Sequence, residues 1–458
     1  MKTTYFSKLS FAFLVGFGAA TALTSCSFED EDYFDQPAAL RIEQATTDIQ
    51  KILVDAPNGW VMQYFTGMNE VEGFNLLARF DQNGKVTLGS NHRYLRDGNA
   101  NKYTEATSLY QMLREDGPVL AFNTWNEILT PFIDPVDYKQ APRVLVKDGE
   151  GMHGDHNLVV TSYSKDEILL RGERYGAIVR MVPCPTESWQ DYISTVAAMR
   201  RYITSNDTTN FAVSNGDTTL YFKNLNSGVI TYCERINDPL FPTTINCVFT
   251  PSGLRLHRVN NIGGTTFQEF RMSPDSTCLL SENDSVRLTA IWQPNVMRYL
   301  RTAADKSGKV FNLDYASLSA EQKGYYDAIR DGIGAMGKNY AVKSISLAST
   351  TAGSNITGLI VTFVRTATQK DPTVAGLSMK FQMNADYSYT ISYDDATATS
   401  NNNMKTICRS AEVDAAVRAL AASLVGHYTL TPNNYFVPTS VTFAPVGAGS
   451  TFTLTRTE

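Results

Sequence analysis

The chain has 458 residues, of which 43% are hydrophobic and 11% aromatic, enough to bury the cores of roughly two to four domains. Lysine and arginine number 40 against 46 aspartates and glutamates, which gives a formal net charge of −6. This acidic balance, without a basic stripe, argues against nucleic acid and against an anionic lipid surface as partners.

The first 25 residues have the three parts of a secretory signal peptide. Lys2 and Lys8 make the start positive, and residues 9–22 form an uncharged run rich in Phe, Leu, Val, Ala and Gly. A membrane-spanning helix needs roughly 20 apolar residues, so this run is too short to span a bilayer. A basic start, a short apolar run and small residues at its exit predict a signal peptide over residues 1–25.

The residues at the end of this segment, Leu23-Thr24-Ser25-Cys26, resemble the lipobox of bacterial lipoproteins. The resemblance implies that a peptidase cuts before Cys26, and that the thiol and the new amino group are acylated. Each buried methylene contributes about 0.8 kcal/mol, and two or more chains are needed for stable anchoring. We therefore expect a membrane partner reached through a lipid anchor on Cys26, with no membrane-spanning segment.

A run of acids follows the predicted anchor, at Glu29, Asp30, Glu31 and Asp32. This run is similar to the export signal that sends lipoproteins of Bacteroidetes-type bacteria to the outer cell surface. Acidic runs are also typical of a solvated tether, and residues 26–36 can serve both purposes. We expect a protein anchored at the outer membrane and facing the exterior, with the periplasmic side as the alternative.

Residues 37–204 predict a helix followed by a β-meander. Apolar residues from Ile42 to Ile52 repeat at helical spacing, and short apolar runs separated by polar turns then continue to Pro183. Regular short runs of this kind are typical of an antiparallel meander that closes into a barrel or a sandwich. A helix predicted from Thr186 to Ile203 ends the unit.

Two further units complete the predicted organisation. Residues 205–295 form a second β region, and residues 296–458 combine helices with strands. One helix in the last unit is opened by the capping-box pair Ser319 and Gln322. The predicted fold class is mainly β with flanking helices, a β-rich α+β arrangement of tandem antiparallel meander barrels or sandwiches.

Five cysteines remain once Cys26 carries lipid, and an odd number cannot all pair within one chain. An exported compartment permits disulfides. Cys233 and Cys247 are the best candidates, because "TYCERI" and "TINCVF" have the pattern of two strands that would place the thiols opposite each other. A role in core packing is the alternative, since no pair has the Cys-x-x-Cys spacing of zinc or redox sites.

The stretch "HGDH" is the sharpest candidate for metal chemistry. His153, Asp155 and His156 offer imidazole and carboxylate ligands within a short stretch, a donor set that suits zinc or iron. A metal site needs further ligands placed by the fold, and a polar turn entering a strand is the simpler interpretation. We therefore predict no metal and no cofactor.

Catalytic motifs are missing from the sequence. It contains no His-Glu-x-x-His, Gly-x-Ser-x-Gly or P-loop, and no spacing of carboxylates singles out an acid and a base. A catalytic pair of carboxylates contributed by distant strands cannot be recognised in a sequence, so an enzyme remains an alternative. Trp60, Trp125, Trp189 and Trp292 either pack in cores, as most tryptophans do, or stack against a ligand such as a sugar or haem.

Several stretches together resemble a family of unknown function among Bacteroidetes surface lipoproteins. They are the lipobox with its acidic tether, "APNGWVMQYF", "GFNLLARFDQNGKVTLGS", "GPVLAFNTWN" and "GDHNLVV", and the resemblance is clearest from Cys26 to about Pro183. Members are often encoded beside outer-membrane nutrient-uptake systems of the starch-utilisation type. The resemblance implies a role in binding or handling an imported substrate. It provides no catalytic residue.

The leading hypothesis is a non-catalytic binding accessory to nutrient uptake, with a glycan or a peptide as ligand and an outer-membrane transporter as partner. A hydrolase acting on the same material and a structural or adhesion protein are the alternatives. Converging carboxylates would favour the hydrolase, and an exposed aromatic platform would favour glycan binding.

The anchor is tested by growing the producing bacterium with labelled palmitate. We expect the label in the mature protein, because the acyl chains are attached to Cys26 after cleavage. Mass spectrometry of the mature N-terminus locates the lipid, and an unlabelled protein that keeps residues 1–25 would contradict the prediction.

Overall fold

The computed structural model describes residues 36–96, 98–134, 151–204, 210–234, 243–291, 310–349, 356–366, 368–369, 372–384 and 388–457. Cys26, the acidic run from Glu29 to Asp32 and Trp292 lie outside these ranges. The described chain forms two closed antiparallel barrels and a third unit built on two open sheets. The predicted fold class, mainly β with flanking helices and tandem barrels, is confirmed.

The first unit is a helix followed by an eight-stranded barrel. Helix α1 spans Ala38–Asp55, and each strand of the barrel pairs with the next in chain order. Strand β8 closes the barrel on β1, with Trp60 opposite Pro183. The strands are β1 (Trp60–Phe65), β2 (Phe74–Phe80), β3 (Lys85–Ser90), β4 (Thr104–Arg114), β5 (Pro118–Phe122), β6 (Asn157–Tyr163), β7 (Ile168–Gly172) and β8 (Ile178–Pro183).

Strand β1 is buried on both faces, for two reasons. Its inward side chains, such as the fully buried Tyr64, belong to the barrel core. Its outward Val61 packs beneath helix α2 (Trp189–Ile203), which Ser188 caps by accepting a hydrogen bond from the Asp191 N–H at 3.2 Å. Helix α2 therefore lies across the outside of the first barrel before the chain enters the second.

The second unit is another closed meander. Strand β16 closes on β9, and phenylalanines fill the interior. The strands are β9 (Phe211–Ser214), β10 (Thr219–Lys223), β11 (Val229–Cys233), β12 (Thr243–Thr250), β13 (Gly253–Ile262), β14 (Thr265–Met272), β15 (Leu279–Ser281) and β16 (Arg287–Ala290).

The predicted disulfide between Cys233 and Cys247 is not formed in this structure. Strands β11 and β12 are antiparallel neighbours, as the two stretches indicate, but their register keeps the two thiols apart. The Cys247 N–H donates to the Gly228 carbonyl, its thiol is free, and burial raises the pKa of that thiol to about 12. Cys233 is aligned with Tyr221 on β10. Strand patterns predict that the two strands are neighbours, but they do not fix the register in which the strands pair.

The third unit combines a six-stranded sheet, in the order β17-β25-β24-β23-β22-β21, with the three-stranded sheet β18-β19-β20. The predicted capping box at Ser319 and Gln322 is present. The strands are β17 (Val310–Leu313), β18 (Ala341–Ser349), β19 (Thr357–Val364), β20 (Thr373–Ser378), β21 (Lys380–Met383), β22 (Tyr389–Ser392), β23 (Gly426–Pro432), β24 (Ser440–Pro445) and β25 (Phe452–Thr457); the helices are α3 (Ala320–Ala335), α4 (Asn402–Ile407) and α5 (Ala411–Ser423). Within the described ranges, every helix is too short or too polar to span a bilayer.

Candidate functional site

The two barrels meet through asparagine side chains that bind the backbone of the other barrel. Asn246 of β12 donates from its amide to the carbonyls of Met68 and Val71, at 3.1 and 2.7 Å. In the opposite direction, Asn75 of β2 donates to the Phe249 carbonyl at 2.8 Å. Both asparagines are buried, and each such bond contributes about 1 kcal/mol net. These bonds fix how the barrels sit against each other.

A cavity of about 320 Å³ lies beside this contact, which we call the inter-barrel cavity. The residues around the start of β2, the loop after β3 and one face of α2 form its walls, and Phe249 contributes from the second barrel. Its size is at the small end of the range for small-molecule sites, and more than half of its lining residues are polar or charged.

Glu72 is a nearly buried carboxylate in the wall of the cavity, with 8% of its side chain exposed. The Arg200 Nη1 lies 2.9 Å from one carboxylate oxygen, and the Arg93 Nη2 lies 3.5 Å from the other. The second barrel presses Gly228 against the same side chain: a Cβ at that position would lie 2.6 Å from the Glu72 Cβ. Three elements therefore converge on Glu72, and the two guanidinium groups leave the cluster with a net positive charge.

The two arginines differ in how firmly they are held. Arg200 also donates to the Asn226 carbonyl at 2.8 Å, and its guanidinium lies 4.9 Å from the centre of the Phe249 ring. Arg93 lies 5.0 Å from the Tyr94 ring centre, and 48% of its side chain is exposed. Because a guanidinium carries five N–H donors, Arg93 keeps donors available to a ligand.

Asn75 lies in the wall of the cavity, but its side-chain oxygen is buried behind the wall. Its amide nitrogen is taken by the Phe249 carbonyl, whereas its buried Oδ1 has no hydrogen-bond partner among the described residues. Leaving a buried acceptor without a hydrogen bond costs about 1–3 kcal/mol. This oxygen has almost no accessible surface, so the cost belongs to the contact between the barrels.

His92 lines the same cavity as a neutral imidazole. Its Nε2 lies 2.8 Å from the Ile128 carbonyl, and its Nδ1 lies 3.2 Å from the Tyr94 backbone N–H. A carbonyl only accepts and an amide only donates, so the proton sits on Nε2. Burial lowers the pKa of His92 to about 4, which keeps the ring uncharged at neutral pH.

The candidate metal ligands form a structural turn outside the cavity. The Asp155 carboxylate accepts backbone N–H bonds from Arg174, Tyr175 and Ala177 at 2.8–3.0 Å, which ties it to the β7–β8 turn. The His153 ring stacks on Tyr175 at 4.6 Å between ring centres, and burial lowers the pKa of His156. The polar-turn interpretation therefore accounts for Asp155. Within the described ranges, no group of three or more His, Cys, Asp or Glu could hold a metal ion.

The tryptophans with described positions do not line the cavity. Trp60 and Trp189 are buried, and each indole N–H donates to a backbone carbonyl. Trp125 is 51% exposed, and the guanidinium of Arg96 lies 4.8 Å from its ring centre. Trp125 is thus one exposed aromatic ring that already stacks against a cation.

A serine–histidine pair lies in the third unit. The Ser388 Oγ lies 2.5 Å from the His427 Nε2, and Asn384 donates to the same hydroxyl at 3.0 Å. Ser388 is only 3% exposed, and no described carboxylate is hydrogen-bonded to the His427 ring. A nucleophile must be accessible to its substrate, and the Ser388 hydroxyl is buried. The hydrogen bond between Ser388 and His427 is therefore a structural contact and does not form a hydrolytic site.

Sequence reasoning missed the residues of the cavity. Glu72, Arg93 and Arg200 come from three separate elements, and no local motif joins them. The one available signal was the position of Glu72, the second of two acids, after Glu70, just before the apolar strand β2. Only the packing of the second barrel on the first shows that this acid is buried.

A family model described as "Domain of unknown function (DUF4302)" matches residues 30–274, more than half of the chain. The chain belongs to this family. The DUF4302 match covers the first barrel, α2 and most of the second barrel, so it extends well beyond Pro183, where the sequence resemblance is clearest. It contains every residue of the inter-barrel cavity.

Comparisons with characterised proteins add no functional assignment. None of the curated proteins matches the chain. A solved structure, the H. pylori beta clamp in complex with 5-chloroisatin, aligns over 90% of this chain and 98% of that chain at 10% identity. Its TM-score of 0.12 is too low to indicate a shared fold.

The neutral His92 should make stability depend on pH. Its folded pKa of about 4 lies below the ordinary value of 6.5, so the unfolded chain binds the proton more readily and acid favours unfolding. Between pH 7 and pH 5 the wild type should lose about 2 kcal/mol more unfolding free energy than His92→Gln. Urea unfolding at the two pH values measures this, and equal losses in both proteins would contradict it.

Gly172→Ala should break the turn that Asp155 supports. A Cβ at residue 172 would lie 1.8 Å from the Asp155 Oδ2 and 2.7 Å from the Ala177 amide nitrogen, so the carboxylate must leave its donors. We expect a loss of about 3 kcal/mol or more in urea unfolding. Gly117→Ala, with nothing within 4 Å of the added atom, is the control and should stay within about 0.5 kcal/mol.

Proposed function

We propose that this protein is a non-catalytic, lipid-anchored binding protein of the outer membrane that supports nutrient uptake. The inter-barrel cavity is the single observation that carries the binding role, because it combines suitable size with unused polar groups. The anchor on Cys26 and the outward orientation from Glu29 to Asp32 rest on the N-terminal sequence pattern. The partnership with an outer-membrane transporter rests on the resemblance to surface lipoproteins.

The polar groups of the cavity favour a hydroxyl-rich ligand. Arg93 is half exposed and has more N–H donors than Glu72 can accept, and a sugar hydroxyl can accept a hydrogen bond from it. The side chains of Ile193 and Val196 on α2 offer an apolar wall for the C–H face of a sugar ring. Of the two ligand classes expected from the sequence, a small glycan therefore fits better than a peptide.

A hydrolase is less well supported by the same cavity. Most glycoside hydrolases use two carboxylates that flank the scissile bond. Among the described lining residues the cavity offers one carboxylate, Glu72, and both of its oxygens face arginines. Binding without turnover is the activity that this arrangement supports.

The binding role is tested with a panel of mono- and disaccharides and dipeptides. Thermal shift and titration calorimetry on residues 27–458 should identify a saccharide that binds. Ala197→Trp fills the cavity from α2 and should weaken binding about tenfold or more. The neighbouring Ala198 does not line the cavity and its side chain is exposed, so Ala198→Trp is the matched control and should leave the affinity unchanged. A panel without response, or equal affinities for both variants, would overturn the role.

A further inference from the structure

We infer that the ligand of the inter-barrel cavity carries a carboxylate, so that the site selects a uronic-acid-type sugar over its neutral counterpart. This inference rests on the proposed binding function and names the substrate class for the same site. It starts from the charges of the cavity wall.

The described wall of the cavity is cationic within an acidic protein. Arg93 and Arg200 provide two positive charges against the single carboxylate of Glu72, while His92 is neutral. The whole chain has a formal net charge of −6. A local positive potential in a recess attracts anions and repels cations.

Arg93 is the group that would recognise the anion. Arg200 is already oriented by Glu72, by the Asn226 carbonyl and by the Phe249 ring. Arg93 lies 3.5 Å from Glu72 and 5.0 Å from the Tyr94 ring centre, and with 48% of its side chain exposed it keeps N–H donors accessible to a ligand. A guanidinium fork matches a carboxylate in a bidentate pair, which is stronger than a bond to a neutral hydroxyl.

A sugar acid satisfies the rest of the cavity, whereas a simple inorganic anion does not. Sulfate has no apolar face to pack against Ile193 and Val196. A uronic acid carries hydroxyl donors, a C–H face and a carboxylate on one small ring. The positive charge and the apolar side of the wall therefore point to one ligand class.

The test compares galacturonic acid with galactose, using the full lipidated protein in detergent and titration calorimetry. We expect the acid to bind about tenfold or more tightly, with an affinity that falls as NaCl rises from about 0.05 to 0.5 M. Arg93→Gln should remove this preference by lowering the affinity for the acid to about that for galactose, measured on the same variant. The exposed Arg201, next to Arg200 but outside the cavity wall, provides the control Arg201→Gln, which should keep the preference.

The outcomes separate this inference from the proposed function. Equal affinities for acid and neutral sugar would overturn the inference and leave the binding role standing. If neither sugar binds and no other saccharide of the wider panel binds, both the inference and the proposed binding function are overturned. An acidic dipeptide that binds where both sugars fail would overturn the sugar class. If Arg93→Gln does not fold, the salt dependence of the wild type for acid against galactose decides the question.

Discussion

The buried carboxylate of Glu72 depends on charges supplied by other parts of the chain, and the arrangement around the cavity depends on Glu72. A carboxylate removed from water is costly unless it is paired, and here the pairs come from Arg93 after β3 and Arg200 on α2. Gly228 of the second barrel closes over it. Well-packed apolar residues often replace such a cluster at no cost in stability, so a contribution to stability alone does not account for it.

The placement of the cavity follows from the size of the barrels. An eight-stranded barrel is just wide enough for side chains to fill its interior. Here Trp60, Tyr64 and Phe132 are fully buried in the first barrel, and Phe211, Phe222 and Phe267 are fully buried in the second. Filled interiors leave the junction of the barrels as the place for a polar recess. The asparagine bonds across that junction hold the walls at a fixed spacing.

Local patterns predicted much of the fold and little of the site. The capping box of Ser319 and Gln322 is predictable from the sequence because its two partners are close neighbours in the chain. Strand register and contacts between distant residues do not follow from a local pattern. The pairing position of Cys247 and the burial of Glu72 could therefore not be predicted from the sequence. His153, Asp155 and His156 suggested a metal site because they are close together in the sequence.

The closure of β8 on β1 has a consequence for how the molecule meets other chains. An open sheet presents unpaired N–H and C=O groups to which a foreign strand can add, but a ring of eight paired strands presents none. The third unit, with two open sheets, lacks this protection. Removal of β8 by a protease would leave β1 and β7 as two edge strands with unpaired backbone groups. Strands of other chains could then add to either edge, which is how aggregation starts.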